Sequence, residues 1–387
     1  MAESAYIHSI RKKFFSSRSA VSGVAGIIFL LIPAIFAPLI ANGRPLLLID
    51  GEGTWSMPFL RFFFAPESSE VWLEKIANFT ALMLPAWLFY RLILRRKPVM
   101  RRVFTGATAL ICALLFILAE PVMDKRDYRQ SAQRAEFVIF APVPYGPDEI
   151  AGTPYEPPSA KHLLGCDDVG RDLLSRLIYG ARVSLAAGIF ATLLALVIGV
   201  TVGMCTGFFK GKFDLFVMRI VEILLCFPTF LLLLILMSMM RDCKIGQSIP
   251  LLVAVIGCTA WISLAMLVRG EVLKESSLPY IQSCAVAGIP RWRIMFRHLL
   301  PNTVSCILIS IPFMVAGAIM SESGLSFLGF GVQPPTASWG NLLRQAFDNP
   351  LSYWHLTFFP GLALFIAVLS FNFTGEGLRR AFDVKEV

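Results

Sequence analysis

The sequence predicts an all-α polytopic membrane protein with about eight spans and both termini in the cytoplasm. Of its 387 residues, 56% are hydrophobic and 16% are charged, whereas about a quarter of a soluble domain is charged. Several apolar runs approach the ~18–20 residues that a helix needs to cross a bilayer. Basic clusters alternate with these runs, as cytoplasmic loops require. A β-barrel would instead show short alternating strands.

The first third of the chain predicts one span followed by an additional pair. A basic segment precedes the apolar run 20–41, and this run is too long for the apolar part of a signal peptide. It is therefore predicted to be an uncleaved span. The runs 77–94 and 103–119 enclose the densest basic cluster of the chain, at 91–102, so the loop between them should lie inside. Residues 1–120 form this predicted N-terminal region.

Residues 121–180 are predicted to be an extracytoplasmic segment. Its middle, from Phe140 to Pro158, is rich in proline and glycine and should be irregular. The segment returns to the membrane through Leu164-Gly-Cys-Asp-Asp-Val-Gly-Arg-Asp-Leu173.

A transmembrane core is predicted at 181–376, followed by a cytoplasmic tail at 377–387. Its spans are expected at 183–207, 214–240, 249–269, 303–322 and 356–375. The loop 271–302 lies inside and carries Lys274, Arg291, Arg293 and Arg297. Without the pair at 77–119, six spans would remain and every later segment would keep its orientation.

Charge and cysteine content exclude some classes of protein. The net charge of +9 is explained by basic residues retained in the cytoplasm. Nucleic-acid binding is not predicted, because the sequence has no basic patch interleaved with aromatic residues. The eight cysteines form no CxxC pair and are read as small apolar residues of packed helices. Cys166 and Cys243 fall on the predicted outer side, so a disulfide between them stays open.

Catalytic motifs are absent from the sequence. The nearest approach to a phosphate-binding GxxxxGK[ST] loop is Gly207-Phe-Phe-Lys-Gly-Lys-Phe213, which has the wrong spacing and no hydroxyl. There is no HExxH or GxSxG, and the four histidines are scattered. The chain is therefore predicted to be non-catalytic, with no catalytic residue, cofactor or metal site.

Ion coupling would need charges near the centres of spans, and the later spans carry almost none. Arg219 and Glu222 lie one helical turn apart, as either a structural pair or a gate. Glu322 is expected at the outer end of its span, either at the interface or at the lip of a pore. The energy for transport then comes from another subunit, or the protein is a passive channel.

The polar loop before the fourth core span has an unusual pattern. Pro279, Pro290 and Pro301 punctuate it, and Gly288 permits a sharp turn between two short helices. Such a helix–turn–helix could pass force from a soluble motor to the spans. An ordinary solvated loop would explain the composition equally well.

This loop resembles the cytoplasmic signature of binding-protein-dependent ABC importer permeases. The signature reads EAA, three residues, G, nine residues, I, one residue and LP. Gln282-Ser283-Cys284 stands for EAA and His298 for I, whereas Gly288, Leu300 and Pro301 match in register. The departure at 282–284 concerns specific contacts and not the placement of the loop.

Three further stretches resemble the second, C-type permease of the oligopeptide/dipeptide/nickel branch. They are Leu164 to Leu185, Ser323-Gly-Leu-Ser-Phe-Leu-Gly-Phe-Gly-Val-Gln-Pro-Pro335 with Ser338-Trp-Gly-Asn341, and Phe371-Asn-Phe-Thr-Gly-Glu-Gly-Leu378. The first span with Ile40-Ala-Asn-Gly-Arg-Pro-Leu-Leu47 is similar to longer members of that branch. The pair at 77–119 looks like an insertion.

The resemblance implies a type I ABC importer fold, in which this subunit and a homologous permease enclose the pore. Two ATP-binding subunits would dock in the cytoplasm on the 279–301 loop, and an extracytoplasmic substrate-binding protein would deliver a peptide, or nickel as the alternative. Membrane lipid would surround the spans. An ion-coupled secondary transporter is the alternative of another class. The residues that couple to the ATPase would be Gln282, Ser283, Cys284, Ala287, Gly288, Arg293 and Pro301. The binding protein could contact Asp167, Asp168, Arg171 and Asp172. Helix capping near Asp168 would explain that second stretch equally well.

Overall fold

A computed structural model describes residues 2–49, 54–66, 70–119, 137–243 and 246–382, with residues 128 and 135, and the side chains from residue 8 onward. Helices dominate. They are α1 Ala2–Ser16, α2 Arg18–Ile35, α3 Ala37–Ile40, α4 Pro58–Phe64, α5 Val71–Ile93, α6 Pro98–Leu118, α7 Leu173–Phe209, α8 Gly211–Leu225, α9 Thr229–Asp242, α10 Ile249–Glu275, α11 Pro279–Val286, α12 Arg291–Ile294, α13 Leu300–Phe327, α14 Trp339–Arg344 and α15 Trp354–Phe382.

The number of spans agrees with the prediction. Within the described residues, seven helical segments are long and apolar enough to cross a membrane, and the bent pair α8 and α9 would make eight. The observed helices extend beyond the apolar runs: the run 183–207 lies within Leu173–Phe209, and the run 249–269 lies within Ile249–Glu275.

The predicted span at 214–240 is not one straight helix. Helix α8 ends at Leu225 and α9 begins at Thr229, and the angle of the bend between the two helices is 85°. Pro228 causes the break, because proline has no N–H to donate and disfavours a helical conformation in the residue before it.

The predicted loop 271–302 is shorter than the sequence suggested. Helix α10 continues to Glu275, and helical backbone resumes at Arg291 and runs to Phe327. Pro301 does not end this segment, because a π-helical turn at Met295–Leu299 precedes it. A wider turn of this kind lets the helix continue past proline, which has no N–H to donate to the helical hydrogen bonds.

A small sheet that the sequence did not reveal joins the predicted outer segment to two strands of the predicted N-terminal region. Strands β1 Leu47–Ile49, β2 Trp55–Ser56 and β3 Phe137–Ile139 pair antiparallel in the order β2-β1-β3. Residues 140–172 are otherwise irregular apart from isolated bridges, in agreement with the proline and glycine content. Residues 120–127, 129–134 and 136 of this segment, Lys244, and 383–387 of the predicted tail lie outside the described residues.

The chain divides into two compact units. The first comprises Met1–Ile28, Ser184–Val332 and Leu362–Val387, and the second comprises Phe29–Val183 and Gln333–Gly361. In the first unit, helices α10 and α13 pack on each other, and α9 packs on both. In the second unit, α5 packs on α6, and separate apolar clusters form around Tyr179, Phe116 and Leu342. The boundaries predicted at 120, 180 and 376 stay a prediction.

Candidate functional site

The centre of the polar loop is a tight helix end built around Gly288. Helix α11 ends with Gly288 at φ 74°, the left-handed region that glycine enters without strain. The N–H of Gly288 donates to the carbonyl of Ala285 at 3.1 Å, and the N–H of Ile289 donates to that of Cys284 at 3.2 Å. This pair of bonds is a Schellman motif. The predicted turn at Gly288 is therefore confirmed, but only the helix before it is short, because the helical segment after it runs from Arg291 to Phe327.

The inner face of the loop packs on the spanning helices of the first unit. Ile281, Ile294 and Leu299 are buried with Val268 and Val272 of α10 in one apolar cluster. Met204 of α7 belongs to the same cluster. The loop is thus packed directly on α7 and α10, and close-packed side chains leave little room for independent movement.

Hydrogen bonds close the base of the loop. The hydroxyl of Tyr280 donates to Glu275 at 2.8 Å, and the amide of Asn302 donates to the Tyr280 oxygen at 2.6 Å. Burial, together with the hydrogen bond to Glu275, raises the pKa of Tyr280. These contacts join the end of α10, the start of α11 and the start of α13.

The outer face of the loop combines exposed apolar side chains with arginines. Val286 is 90% exposed, Trp292 61% and Phe296 58%. Exposed aromatic and arginine side chains are typical of protein interfaces. The predicted coupling residues Gln282, Ser283, Ala287, Gly288, Arg293 and Pro301 are exposed, and Cys284 is half-buried. Gln282 and Ser283 bond locally to the carbonyls of Ser277 and Pro279.

Three glycines of α7 allow this helix to approach α10 closely. A Cβ on Gly199 would lie 2.9 Å from the carbonyl oxygen of Trp261, one on Gly203 would lie 2.6 Å from that of Ala265, and one on Gly207 would lie 2.9 Å from that of Arg269. The spacing of four residues places all three on one face of the helix. This stripe was not predicted, although its pattern, Gly199-xxx-Gly203-xxx-Gly207, is present in the sequence.

A partly buried ion pair lies next to this contact. Arg269 of α10 donates to both carboxylate oxygens of Asp214 of α8, at 2.6 and 2.7 Å. The bidentate geometry fixes the orientation of both side chains. It attaches the first half of the bent pair to the helix that carries the loop.

Helices α9, α10 and α13 line an open cavity of about 400 Å³. Hydroxyls from Thr229, Thr259, Ser263, Ser310 and Ser321 line it together with apolar side chains such as Phe313. The described residues that line the cavity carry no charge. Such a wall can contact peptide groups and apolar side chains without committing to one ligand.

Glu322 does not occupy an interface or the lip of a pore, and both predicted alternatives are wrong. Its side chain is fully buried, and it accepts hydrogen bonds from Ser184 at 2.8 Å, from Ser326 at 2.8 Å and from Ser323 at 3.2 Å. The hydroxyl of Ser326 also accepts from the N–H of Val332 at 3.0 Å. Glu322 thus organises the end of α13 and the turn that follows it.

Arg219 and Glu222 form the exposed i,i+3 pair that was one of the two predicted alternatives. The guanidinium and the carboxylate are 2.5 Å apart, and the side chains are 75% and 55% exposed. An exposed pair of this kind contributes at most about 1 kcal/mol to stability.

In the second unit, Arg182 of α7 is the centre of a buried polar site. Its guanidinium donates to the backbone carbonyls of Ala34 and Ile35 at 2.5 and 2.9 Å, and to the side chain of Asn78 at 2.9 Å. Glu74 pairs with it at 3.4 Å. Arginine thereby binds the final carbonyls of α2, where the helix dipole favours a cation. The signal for this site was an arginine within an apolar run.

Three of the four predicted binding-protein contacts are buried in another cluster. Asp167 accepts from the guanidinium of Arg171 at 2.7 Å and lies 3.1 Å from that of Arg176. Asp172, and not Asp168, caps α7 by accepting from the N–H of Ser175 at 2.9 Å. The Asp168 side chain is 37% exposed, and burial together with the charge of Asp167 raises its pKa. Contact with a binding protein stays a prediction, with Asp168 as the accessible carboxylate.

All eight cysteines are free, so the disulfide that the sequence left open between Cys166 and Cys243 is not formed. Cys243 is exposed, whereas Cys166 is fully buried. Burial raises the pKa of the Cys166 thiol to about 12.

Spanning helices, an uncharged cavity and an exposed helical loop define a polytopic transport permease. The model of the family "Binding-protein-dependent transport system inner membrane component" matches residues 195–385. The glutathione transport system permease protein GsiD of Pectobacterium atrosepticum is 40% identical over 230 residues, which are 59% of this chain and 75% of that protein. The dipeptide transport system permease protein DppC of Bacillus subtilis is 38% identical over 59% and 70% of the two chains. The oligopeptide transport system permease protein OppC of Haemophilus influenzae is 38% identical over 58% and 71%.

The chain therefore belongs to the inner-membrane permeases of binding-protein-dependent importers, the family that the loop and the three motifs resemble.

Proposed function

We propose that this chain is the C-type permease of an importer for peptides. The observation that carries this proposal is the cavity between α9, α10 and α13, whose wall offers hydroxyls and apolar side chains. The similar proteins named above are permeases for glutathione, dipeptides and oligopeptides. A peptide presents both hydrogen-bonding groups and apolar side chains, so a wall of this composition suits it.

Nickel is the weaker candidate for the cargo. Histidine, cysteine and carboxylate side chains are the usual ligands of such an ion, and the described residues that line the cavity include none of them. Selectivity of the whole importer would then reside mainly in the substrate-binding protein.

The energy would come from two ATP-binding subunits, and this chain itself would be non-catalytic. One ATPase would contact the outer face of the 279–301 loop, where Val286 and Trp292 are exposed beside Arg293. Movement of the loop would reach α7 and α10 through the apolar cluster around Leu299. A homologous second permease would complete the pore, and both termini would lie in the cytoplasm.

Replacing Gly288 by valine tests the coupling role. The φ of 74° is unfavourable for any L-residue by about 1–2 kcal/mol and worse for a β-branched one, so α11 should end differently. ATP hydrolysis by the reconstituted complex should persist while peptide uptake into proteoliposomes falls several-fold.

Gly106 provides the matched control. Gly288 and Gly106 both have open space where a Cβ would stand, but Gly106 lies inside α6, away from the cavity, and not in the left-handed region. Gly106→Val should therefore change uptake less than Gly288→Val. Unchanged uptake in Gly288→Val would remove the coupling role, and failure of the chain to co-purify with an ATPase and a second permease would remove the proposed function.

A further inference from the structure

Three potential metal ligands meet in the irregular segment before α7. Glu156, His162 and Cys166 each offer one ligand atom, and these atoms lie within 4.8 Å of one another. Cys166 and His162 are buried, and Glu156 is half-buried. The permease activity gives no role to this cluster, and no sequence motif predicted it because the spacing of six and four residues matches no common metal-binding pattern.

The three donor atoms point at one space, beside Gly152. A Cβ on this glycine would lie 2.5 Å from Sγ of Cys166, 2.9 Å from Oε2 of Glu156 and 3.1 Å from Nε2 of His162. The backbone of Gly152 is not in the left-handed region, so its conformation does not require glycine. What the missing side chain provides is room between the three donors, enough for an ion at bond lengths of about 2.0–2.3 Å after small side-chain adjustments.

The imidazole of His162 is oriented for this purpose. Its Nδ1 lies 3.0 Å from Oδ2 of Asp172, and its ring lies 4.6 Å from that of Tyr145. A carboxylate on one ring nitrogen fixes the tautomer in which the other nitrogen carries a lone pair, the usual second contact of a metal-bound histidine. Here the free nitrogen is Nε2, the atom that faces the space beside Gly152.

The backbone holds the donors in place. The N–H of Cys166 donates to the carbonyl of Glu156 at 2.9 Å, and the N–H of Gly165 donates to that of His162 at 2.9 Å. The Glu156 carboxylate accepts only long bonds from Thr153 and Ser159, between 3.2 and 3.4 Å. It can therefore shift toward an ion without the loss of a strong interaction.

We propose that Glu156, His162 and Cys166 bind a divalent transition-metal ion, with Zn²⁺ as the preferred ion. One thiolate, one imidazole and one carboxylate are ligands that zinc accepts, and a water or a small anion would complete a tetrahedral site. The ion would fasten the two arms of the 151–172 segment together. Asp172 would connect it to the first turn of α7, because its other oxygen caps that helix.

Metal content of the full-length protein tests the proposal. The chain is purified in detergent without a polyhistidine tag, treated with a chelator, dialysed against Zn²⁺ and analysed by elemental mass spectrometry. The parent and the control Cys243→Ser, whose thiol is exposed, should each retain about one equivalent of zinc. Cys166→Ser, His162→Gln and Gly152→Ala should retain at least five-fold less. Gly152→Ala leaves every ligand present and only fills the space.

Cobalt spectroscopy on the unaltered chain gives a result that does not depend on the folding of a variant. Co²⁺ at this site should produce a thiolate-to-cobalt charge-transfer absorption that added Zn²⁺ removes. Zn²⁺ should also raise the thermal midpoint of the parent, because it binds only the folded state. Absence of the cobalt absorption, or zinc retention by Cys166→Ser equal to that of the parent, would overturn the proposal.

Discussion

At the residue scale, single side chains of α7 hold long stretches of the second unit together. Arg182 satisfies the last carbonyls of α2 and binds Asn78 and Glu74 of α5. Arg182 thereby attaches the additional helix pair, α5 and α6, to α7 within the second unit. From the sequence, this pair could only be described as an insertion. Trp339 of α14 also binds α7 in this unit, since its indole N–H donates to the carbonyl of Leu177 at 3.2 Å.

Replacing Arg182 by methionine should strongly destabilise the protein. The change leaves buried carbonyls, the Asn78 amide oxygen and the Glu74 carboxylate without their partner, and loss of one side of a buried ionic network costs about 3–5 kcal/mol. We expect the apparent thermal midpoint in detergent to fall by several degrees. Arg219→Met is the control, because the Arg219 side chain is 75% exposed and its pair should contribute under about 1 kcal/mol. Equal midpoints for the two variants would contradict the assigned role.

At the element scale, close contact between α7 and α10 depends on the absence of side chains. Each of the three glycines faces a backbone carbonyl of α10 at a distance that leaves no room for a methyl group. In lipid, helices associate through such close packing and not through the hydrophobic effect, because the acyl chains are as apolar as the side chains. The loop packs on the same two helices, through Met204 and Val268.

Gly203→Ala should weaken this contact. The added Cβ would stand 2.6 Å from the carbonyl oxygen of Ala265, and overpacking of a tight interface costs about 1–3 kcal/mol. The thermal midpoint should fall, and ATPase activity of the reconstituted complex should respond less to the substrate-loaded binding protein. Gly270→Ala in α10 is the matched control, because open space surrounds Gly270 and alanine favours a helix by up to about 1 kcal/mol. A midpoint for Gly203→Ala at or above that of Gly270→Ala would refute the tight contact.

At the scale of the whole molecule, the distribution of basic residues predicts the orientation in the membrane. The short loop near Arg95 carries six basic residues between positions 91 and 102, and the loop around Gly288 carries four, so both are expected in the cytoplasm. The turn after α9 should then face outward, with Cys243 exposed in it.

Cysteine labelling tests this orientation. In a chain whose other cysteines are replaced by alanine, Cys243 should react with a membrane-impermeant maleimide on sealed, right-side-out vesicles. A single cysteine at Val286→Cys, on the exposed face of the loop, should react only after the vesicles are inverted. Labelling of Val286→Cys from the outside would reverse the assigned topology.

The sequence by itself determined the class, the approximate number of spans and the turn at Gly288. These features depend on local properties: long apolar runs need no tertiary contact to be recognised, and a left-handed helix end at an interhelical glycine is a local conformation. The motifs beginning at Leu164 and Ser323 also identified the family. Local chemistry explains Pro228 as well, yet its 85° bend was missed because the apolar run continues across it.

The tertiary structure alone decided which polar residues are buried and with what partners. Asp167, Arg171 and Asp172 read as surface residues because they lie in a polar segment, but they are buried. Asp167 pairs with Arg171 and Arg176, and Asp172 binds His162 and caps α7. Glu322 needed Ser184, 138 positions earlier, to become a buried acceptor. The convergence of Glu156, His162 and Cys166 beside Gly152 depends on the path of an irregular backbone. Hydropathy and spacing describe the chain along its length, whereas these sites arise from contacts between segments that only folding brings together.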